Sequence, residues 1–223
     1  MRAALFVLLF LSSLVAQAQV VDTTKVYRPQ ALRFGYTLSS AVQTLIDERI
    51  TQFAGHADIP FYRFMLAADV GFQQTRRVPR EADGVSYHYR NEGVFYKIGI
   101  DYNLVKNKRQ NPIADRNVFY VGFHFAQAIF NDEATFVVDD LLRGPVQQQA
   151  QNKKASAWWV EGVVGTKAAI TGNLYLGLTT QIRFSPSVNT SGTLDPFDIP
   201  GYGSGERNLR VGFELYVLYR LRL

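Results

Sequence analysis

The last 15 residues of the chain, 209–223, alternate between apolar and polar positions. Such a period of two predicts a β-strand with two chemically different faces. The segment is much longer than the roughly 5–6 residues of an ordinary strand, and it exceeds the roughly 9–11 residues that cross a membrane. We therefore interpret it as the closing strand of a transmembrane β-barrel. Its apolar face carries Val211, Phe213, Leu215, Val217, Tyr219, Leu221 and Leu223.

The same alternation recurs upstream and predicts seven more strands. An even strand number is typical of bacterial outer-membrane barrels. The predicted fold class is therefore all-β, an eight-stranded antiparallel transmembrane β-barrel with a polar, filled lumen. Helical spacing of Val42, Leu45 and Ile46 predicts a short helix or turn within 39–47. The eight predicted strands are 31–38, 50–58, 62–75, 87–103, 117–130, 156–170, 174–184 and 209–223.

The connections alternate between short and long, as they do in bacterial barrels. Ile59 and Pro60 are predicted to form one periplasmic turn, and 171–173 another. Segments 131–155 and 185–208 are predicted to be long extracellular loops, in which 136–138 could pair as a strand extension. The polar segment 106–116 is long for a periplasmic connection.

One face of each strand is bulky and apolar, and the other carries charges and glycines. A lipocalin would place the apolar face inside. The interior of a small barrel is crowded, so we place the face with glycines inside and the bulky face outside. Mixed signs predict a paired ionic core rather than a proton path, a pore lining or a catalytic cluster. The inward set includes glycines 35, 71, 93, 99, 122, 165, 177 and 212, and the charges Arg33, Arg63, Asp69, Lys97, Asp101, Glu161, Lys167, Arg183, Glu214 and Arg220.

The N-terminus has the order of a secretory signal: Arg2, an apolar run, and a small-residue cleavage site at 16–18. We expect a signal peptide at 1–18, a periplasmic lead at 19–30 and the outer-membrane barrel domain at 31–223. The net charge of +5 is spread along the chain, which does not favour nucleic-acid binding. The chain has no cysteine, so it has no disulfide framework and no thiol nucleophile.

The chemical motifs are sparse. Scattered histidines at 56, 88 and 124 give no metal site, and we assign no catalytic, cofactor-binding or metal residue. His124 and Glu161 resemble an acid–base pair, but their spacing does not require one. Tyrosine and tryptophan residues near the strand ends predict aromatic girdles at the membrane interfaces. Its candidates are Tyr62, Tyr87, Tyr102, Trp158, Trp159 and Tyr219.

Several short segments, taken in their order along the chain, resemble the small outer-membrane β-barrel proteins of unknown function from Bacteroidota. The resemblance covers most of 31–223 and implies the barrel fold, but it supplies no activity and no site residues. The chain ends in Leu223, whereas such barrels commonly end in Phe. The matching segments are 32–35, 97–103, 118–123, 173–177, 199–201 and 211–213.

We expect a non-enzymatic structural or surface-binding protein of the bacterial outer membrane, because loops on a rigid scaffold often bind ligands. The candidate contacts for an extracellular ligand are Phe197, Tyr202 and Arg207, within 185–208. One alternative is a lipid-modifying enzyme using Ser86 and His88, which share one side of a strand. Another is a small porin-like channel. We also expect a monomer whose other partners are outer-membrane lipids and the barrel-assembly machinery.

Overall fold

The structure is a computed structural model, which describes residues 29, 31–77, 85–105, 117–140, 144–190, 192, 194–205 and 208–223. The predicted signal peptide, the lead apart from Pro29, and segment 106–116 therefore lie outside the described residues. No helix in the described ranges is long and apolar enough to cross a membrane. The elements are β1 (Ala31–Thr37), α1 (Leu38–Ile46), β2 (Ile50–Phe61), β3 (Phe64–Arg77), β4 (Val85–Asn103), β5 (Asn117–Asp140), β6 (Gly144–Ala169), β7 (Leu174–Asn189), β8 (Asp198–Ile199), β9 (Gly203–Ser204) and β10 (Leu209–Arg222).

Eight strands close into one antiparallel barrel, in the order β1, β10, β7, β6, β5, β4, β3, β2. The first and last strands form the seam, where Ala31 pairs with Arg222 and Thr37 with Tyr216. Closure leaves no open sheet edge, so the backbone groups of every strand can pair with a neighbour. The predicted fold class of an eight-stranded antiparallel barrel is confirmed, and so is the short helix between the first two strands. We call the end with the tight turns the turn end and the end with α1 the mouth end.

Two predicted connections, the first turn and segment 131–155, are wrong in their bounds. The first turn is not Ile59–Pro60, because β2 continues through Pro60 to Phe61, and the chain reverses at Tyr62, whose φ is 57°. Pro60 pairs with Met65 at the last steps of the ladder, where the loss of one N–H donor is tolerated.

Segment 131–155 is not a loop. β5 runs to Asp140 and β6 begins at Gly144, so the two strands form a long ribbon, with a register shift between Phe130 and Asp132. The predicted extension at 136–138 is confirmed, since these residues pair with 146–148. Beyond the barrel wall both faces of the ribbon can be polar, so its alternation disappears from the sequence although the ladder continues.

The outer face of the barrel forms an apolar belt. On β3 the belt extends from Phe64 to Phe72 and ends before Gln74 and the exposed Arg76. On β4 the exposed Arg90 and Glu92 form an ion pair just beyond it. Its width of nine residues on β3 matches the roughly 9–11 residues of a membrane strand. Large exposed side chains of the belt include Phe34, Phe53, Val70, Val94, Ile98, Ile100, Phe123, Phe125, Trp158, Leu178, Ile182, Phe184, Val211, Phe213 and Tyr219.

The predicted girdle residues differ in where their side chains lie. Tyr62 and Tyr219 are exposed at the turn end, and Trp158 is exposed and stacks on Phe125 towards the mouth end. Trp159 is wrong as a girdle residue, because the alternation turns it into the lumen, where it is completely buried. The side chain of Tyr87 lies outside the described residues. Tyr102 packs edge-on against Phe64 at the turn end.

The predicted face assignment is confirmed by the glycines, because side chains fill the space over most of them. A Cβ on Gly99 would collide with the His124 ring, and one on Gly35 would collide with the Val217 carbonyl oxygen across the seam. A carbonyl oxygen in the ladder cannot move aside as a side-chain tip can. Glycine at position 35 therefore lets the first and last strands approach closely enough to pair.

The seam predicts a strong effect for Gly35→Ala, because the added methyl meets a backbone atom. We expect impaired barrel closure, seen as loss of the heat-modifiable band on gels and a lower unfolding midpoint in denaturant. Gly172→Ala is the matched control, since nothing lies within 4 Å of its added Cβ. A surface change of this kind usually alters stability by only about 0.5 kcal/mol. Equal behaviour of the two variants would show that the seam tolerates the methyl group.

Candidate functional site

The mouth end is closed by a segment that folds inward. Residues 194–205, which we call the plug, enter the barrel and form a small hairpin from β8 and β9. The prediction of a loop presented outward over 185–208 is therefore wrong: β7 continues to Asn189 and the following chain turns into the lumen. Of the predicted ligand contacts, Tyr202 is fully buried, Phe197 packs edge-on against Tyr89, and Arg207 lies outside the described residues.

Hydrogen bonds from the barrel wall hold the plug. Asp198 accepts from Gln73 Nε2 at 2.8 Å and from Thr75 Oγ1 at 2.6 Å, and both donors are buried. Gln73 uses its other amide atom as well, since Oε1 accepts from the Gly201 N–H at 3.1 Å. On the opposite side, Arg183 Nη1 donates to the Tyr202 carbonyl at 3.0 Å. The plug is thus bonded to strands on both sides of the barrel.

Apolar residues of the barrel wall pack against the plug and set how far it enters the barrel. Tyr202 packs edge-on against Trp159, with ring centroids 5.5 Å apart. Gly201 has a φ of 77° and lies so close to Phe95 that an added Cβ would come within 2.6 Å of the ring. Burial raises the pKa of the Tyr202 hydroxyl. Small wall residues make room for Ile199 and Tyr202: Ala54, Ala126, Ala128, Ala155 and Ala157 belong to the same buried cluster.

A cavity of about 260 Å³ remains between α1, the plug and β10. It is slightly below the usual size of a small-molecule pocket, about 300–1,000 Å³. Ser40 and Gln43 line it from α1, and Arg183 and Arg210 line it from the strands. Polar groups therefore surround most of this space, which suits a small polar ligand better than a lipid chain.

Below the plug lies a network that we call the mouth-side network, formed by Lys97, Glu161, Arg183 and Glu214. Lys97 Nζ lies 3.2 Å from Glu161 and 3.0 Å from Glu214. Arg183 lies 3.2 Å from Glu161 and 3.4 Å from Glu214. Trp159 Nε1 donates to Glu161 at 2.7 Å. Two cations therefore face two carboxylates, and the charges of the network balance.

A second network, the turn-side network, lies closer to the tight turns. Asp58 is its centre: one oxygen accepts from Arg33 Nε at 2.7 Å and the other from Lys167 Nζ at 2.6 Å. His56 connects it to Asp69 through a contact of 2.7 Å. All five side chains are buried. Burying such charges is tolerable only when each has a partner of opposite sign and its remaining polar atoms are bonded.

The comparisons with known proteins give a family. A family of domains of unknown function, DUF6048, matches residues 1–223. The chain belongs to the DUF6048 family. No curated protein matches it by sequence.

Three solved structures are similar to the DUF6048 chain in fold. CarO2 of Acinetobacter baumannii is 10% identical, with a TM-score of 0.45, over 86% of this chain and 98% of its own. Ail of Yersinia pestis, in complex with the heparin analogue sucrose octasulfate, is 12% identical, with a TM-score of 0.33, over 86% and 97%. Neisserial surface protein A is 13% identical, with a TM-score of 0.34, over 87% and 95%.

The structure confirms most of the predicted lumen charges of the DUF6048 chain and corrects one. Arg63 does not join the lumen: it lies in the turn, where Nη1 donates to the Tyr102 hydroxyl at 2.7 Å. The left-handed Tyr62 changes the direction of the chain, so counting alternate residues fails at Arg63. Arg220 lies at the turn end over the Tyr175 ring and donates to the Gly172 carbonyl at 2.7 Å.

The two candidate pairs for acid–base chemistry have other environments. His124 and Glu161 are cross-strand partners, but His124 Nε2 contacts Asp101 at 2.9 Å, and Glu161 belongs to the mouth-side network. His88 is exposed on the outer face of β4, and the side chain of Ser86 lies outside the described residues. Among the described residues, no three His, Cys, Asp or Glu side chains are grouped to hold a metal ion.

Sequence reasoning missed the plug and the polar groups that hold it. One signal was present: Ile199, Pro200 and Gly201 place an apolar residue before a turn within a polar segment. The pairing of the lysine and arginine side chains in the lumen had no signal, because each of these ion pairs joins strands that are distant in the chain.

Lys167→Met tests the turn-side network. It removes a cation 2.6 Å from Asp58 in a fully buried position, and breaking such a pair costs about 3–5 kcal/mol. We expect a correspondingly lower free energy of unfolding in denaturant titrations. The control Arg90→Met breaks an exposed pair with Glu92, for which about 0–1 kcal/mol is expected. If Lys167→Met is as mild as its control, the buried ions do not hold the barrel together.

Proposed function

We propose that this protein is a non-enzymatic outer-membrane β-barrel with a structural or surface-binding role, closed to solutes by its plug and its ionic lumen. The observation that carries the proposal is the filled interior: the plug closes the mouth end, and two ionic networks fill the space below it. An eight-stranded barrel has an interior just wide enough for its side chains.

The apolar belt supports the location in a membrane. Val70 is 64% exposed and Ile98 is 56% exposed, although both are large and apolar. A continuous apolar surface of this extent would be unfavourable in water. Three exposed apolar side chains on α1, Val42, Leu45 and Ile46, suit the interface between membrane and water. Export by a signal peptide at 1–18, a Gram-negative host and an origin in Bacteroidota are part of this proposal.

The surfaces left for binding are at the mouth end, which we place outside the cell. The β5–β6 ribbon projects beyond the belt, and the polar cavity opens beside the plug. We propose these two surfaces, rather than the whole of 185–208, as the contacts for an extracellular ligand. Outer-membrane lipids, the barrel-assembly machinery during insertion, and a monomeric state complete the proposal.

The alternative of a lipid-modifying enzyme depends on His88. It lies beyond the belt, on the outer face of β4, and pairs across the ladder with Thr135. Lipid profiles of cells with and without the protein separate the two functions. We expect unchanged acylation of lipid A and phospholipid. A changed profile that His88→Ala abolishes would overturn the non-enzymatic role.

Ile98→Arg tests the membrane location. Ile98 lies in the middle of the belt, opposite Ala68, and an arginine at the bilayer midplane costs about 2–4 kcal/mol. Val94→Arg is the matched control, because Val94 lies at the mouth-side edge of the belt, where the cost is about 0–1 kcal/mol. Unfolding in lipid vesicles measures both. A small, equal effect at the two depths would argue against a lipid-facing belt.

Electrical recordings test the closed lumen. In planar bilayers the unmodified protein should give no steady ion current. Arg183→Gly removes the side chain that joins the mouth-side network to the plug, so it should produce a leak. Arg63→Gly, which changes an arginine outside the lumen, should not. Large steady currents from the unmodified protein would instead indicate a porin-like channel.

A further inference from the structure

Three adjacent polar side chains lie in the wall beside the plug: Asn91 on β4, Asp132 on β5 and Asn152 on β6. The strand register places them in a row, with Asn91 opposite Asp132 and Asp132 opposite Asn152. All three point into the barrel and are at most 1% exposed. They lie beyond the apolar belt, outside both ionic networks.

In the described part of the chain, each of the three residues has one oxygen atom that accepts no hydrogen bond: Asn91 Oδ1, Asp132 Oδ2 and Asn152 Oδ1. Their other atoms are bonded. Tyr89 donates to Asp132 Oδ1 at 2.7 Å, and Asn91 Nδ2 donates to the same oxygen. Asn152 Nδ2 donates to the Leu194 carbonyl at 2.6 Å. A buried acceptor without a donor is unfavourable, and one shared cation could satisfy three acceptors on neighbouring residues.

The charge of Asp132 also favours a cation at this position. The carboxylates at the centres of the two networks, Asp58 and Glu161, contact lysine and arginine side chains. Asp132 is equally buried and has no ion pair with any lysine, arginine or histidine in the described part of the chain. A buried carboxylate without a cation is unfavourable by several kcal/mol, roughly.

We propose that Asn91, Asp132 and Asn152 bind a calcium ion through these three oxygen atoms, with water completing its shell. Carboxylate and amide oxygens are the ligands of hard cations, and no nitrogen or sulfur ligand is offered for zinc. Calcium suits the site better than magnesium, because calcium tolerates irregular geometry. With a single carboxylate, the dissociation constant should be of the order of 10⁻⁴–10⁻³ M, as in extracellular modules.

The ion would fasten the plug to the wall. Asn91 Nδ2 donates to the Asp198 carbonyl at 2.9 Å, and Asn152 Nδ2 holds the Leu194 carbonyl. Calcium that fixes the oxygen atoms of both amides therefore also orients the two nitrogen atoms that hold the plug. This site does not depend on the proposed surface-binding role.

Calcium binding can be measured on the purified full chain in detergent. Added calcium, at about 10 mM, roughly ten times the weak end of the expected range, should raise the unfolding temperature relative to EDTA. Terbium is the probe for the site itself: Tyr89, whose hydroxyl contacts Asp132, should sensitise terbium luminescence, and calcium should quench it by competition. Asp132→Asn should lose both signals.

Glu133→Gln is the matched control, because Glu133 is the next carboxylate along β5 but lies exposed on the opposite face, where it accepts from Gln149. It should retain both signals. Asn152→Asp adds a second carboxylate and should tighten calcium binding about tenfold or more, which keeps the test decisive if Asp132→Asn does not fold. The proposal is overturned if calcium leaves the unfolding temperature of the unmodified protein unchanged. It is also overturned if Asp132→Asn keeps the calcium response, or if Asn152→Asp binds no more tightly.

Discussion

The pairing of buried carboxylates with cations is the constraint on which the inside of this barrel depends. Asp58 is completely enclosed, yet Arg33 and Lys167 each contact one of its oxygens. A small closed sheet has no room for bulk water around such groups, so every charge must find its partner on another strand. The inward glycines are part of the same solution, because lumen side chains such as His124, Tyr120 and Arg183 occupy the space over them.

Between the mouth-side network and the mouth end, apolar side chains rather than charges fill the lumen. Alanines replace charges on the wall around the mouth end, and Ile199 and Tyr202 of the plug occupy the volume that they leave. The plug brings its own polar backbone into the barrel, and Gln73 and Arg183 satisfy part of it. Burial of the plug is therefore a packing requirement of the mouth end as much as a closure of the lumen.

Asp132 is a buried carboxylate without an ion pair in the described part of the chain, and this makes it informative. In the two networks the sequence supplies the cation from a neighbouring strand, whereas beside the plug it supplies amide oxygens instead. Such a replacement is reasonable where the cation comes from the solvent, and the outside of a cell is a source of calcium. Asp58 belongs to the charges that hold the barrel together. Asp132 belongs to the group of oxygen atoms that we propose to bind an ion.

The sequence by itself determined the strand count, the face of each strand and the polar character of the lumen. These properties follow from local rules: a period of two assigns every second side chain to one side, and glycines mark the crowded side. Tertiary structure alone decided which charges meet, since Lys167 and Asp58 are 109 positions apart in the chain. It also decided that the plug folds inward and that β5 and β6 extend beyond the belt. Neither has a periodic signal, because a plug is held by contacts with many strands and a ribbon outside the membrane needs no apolar face.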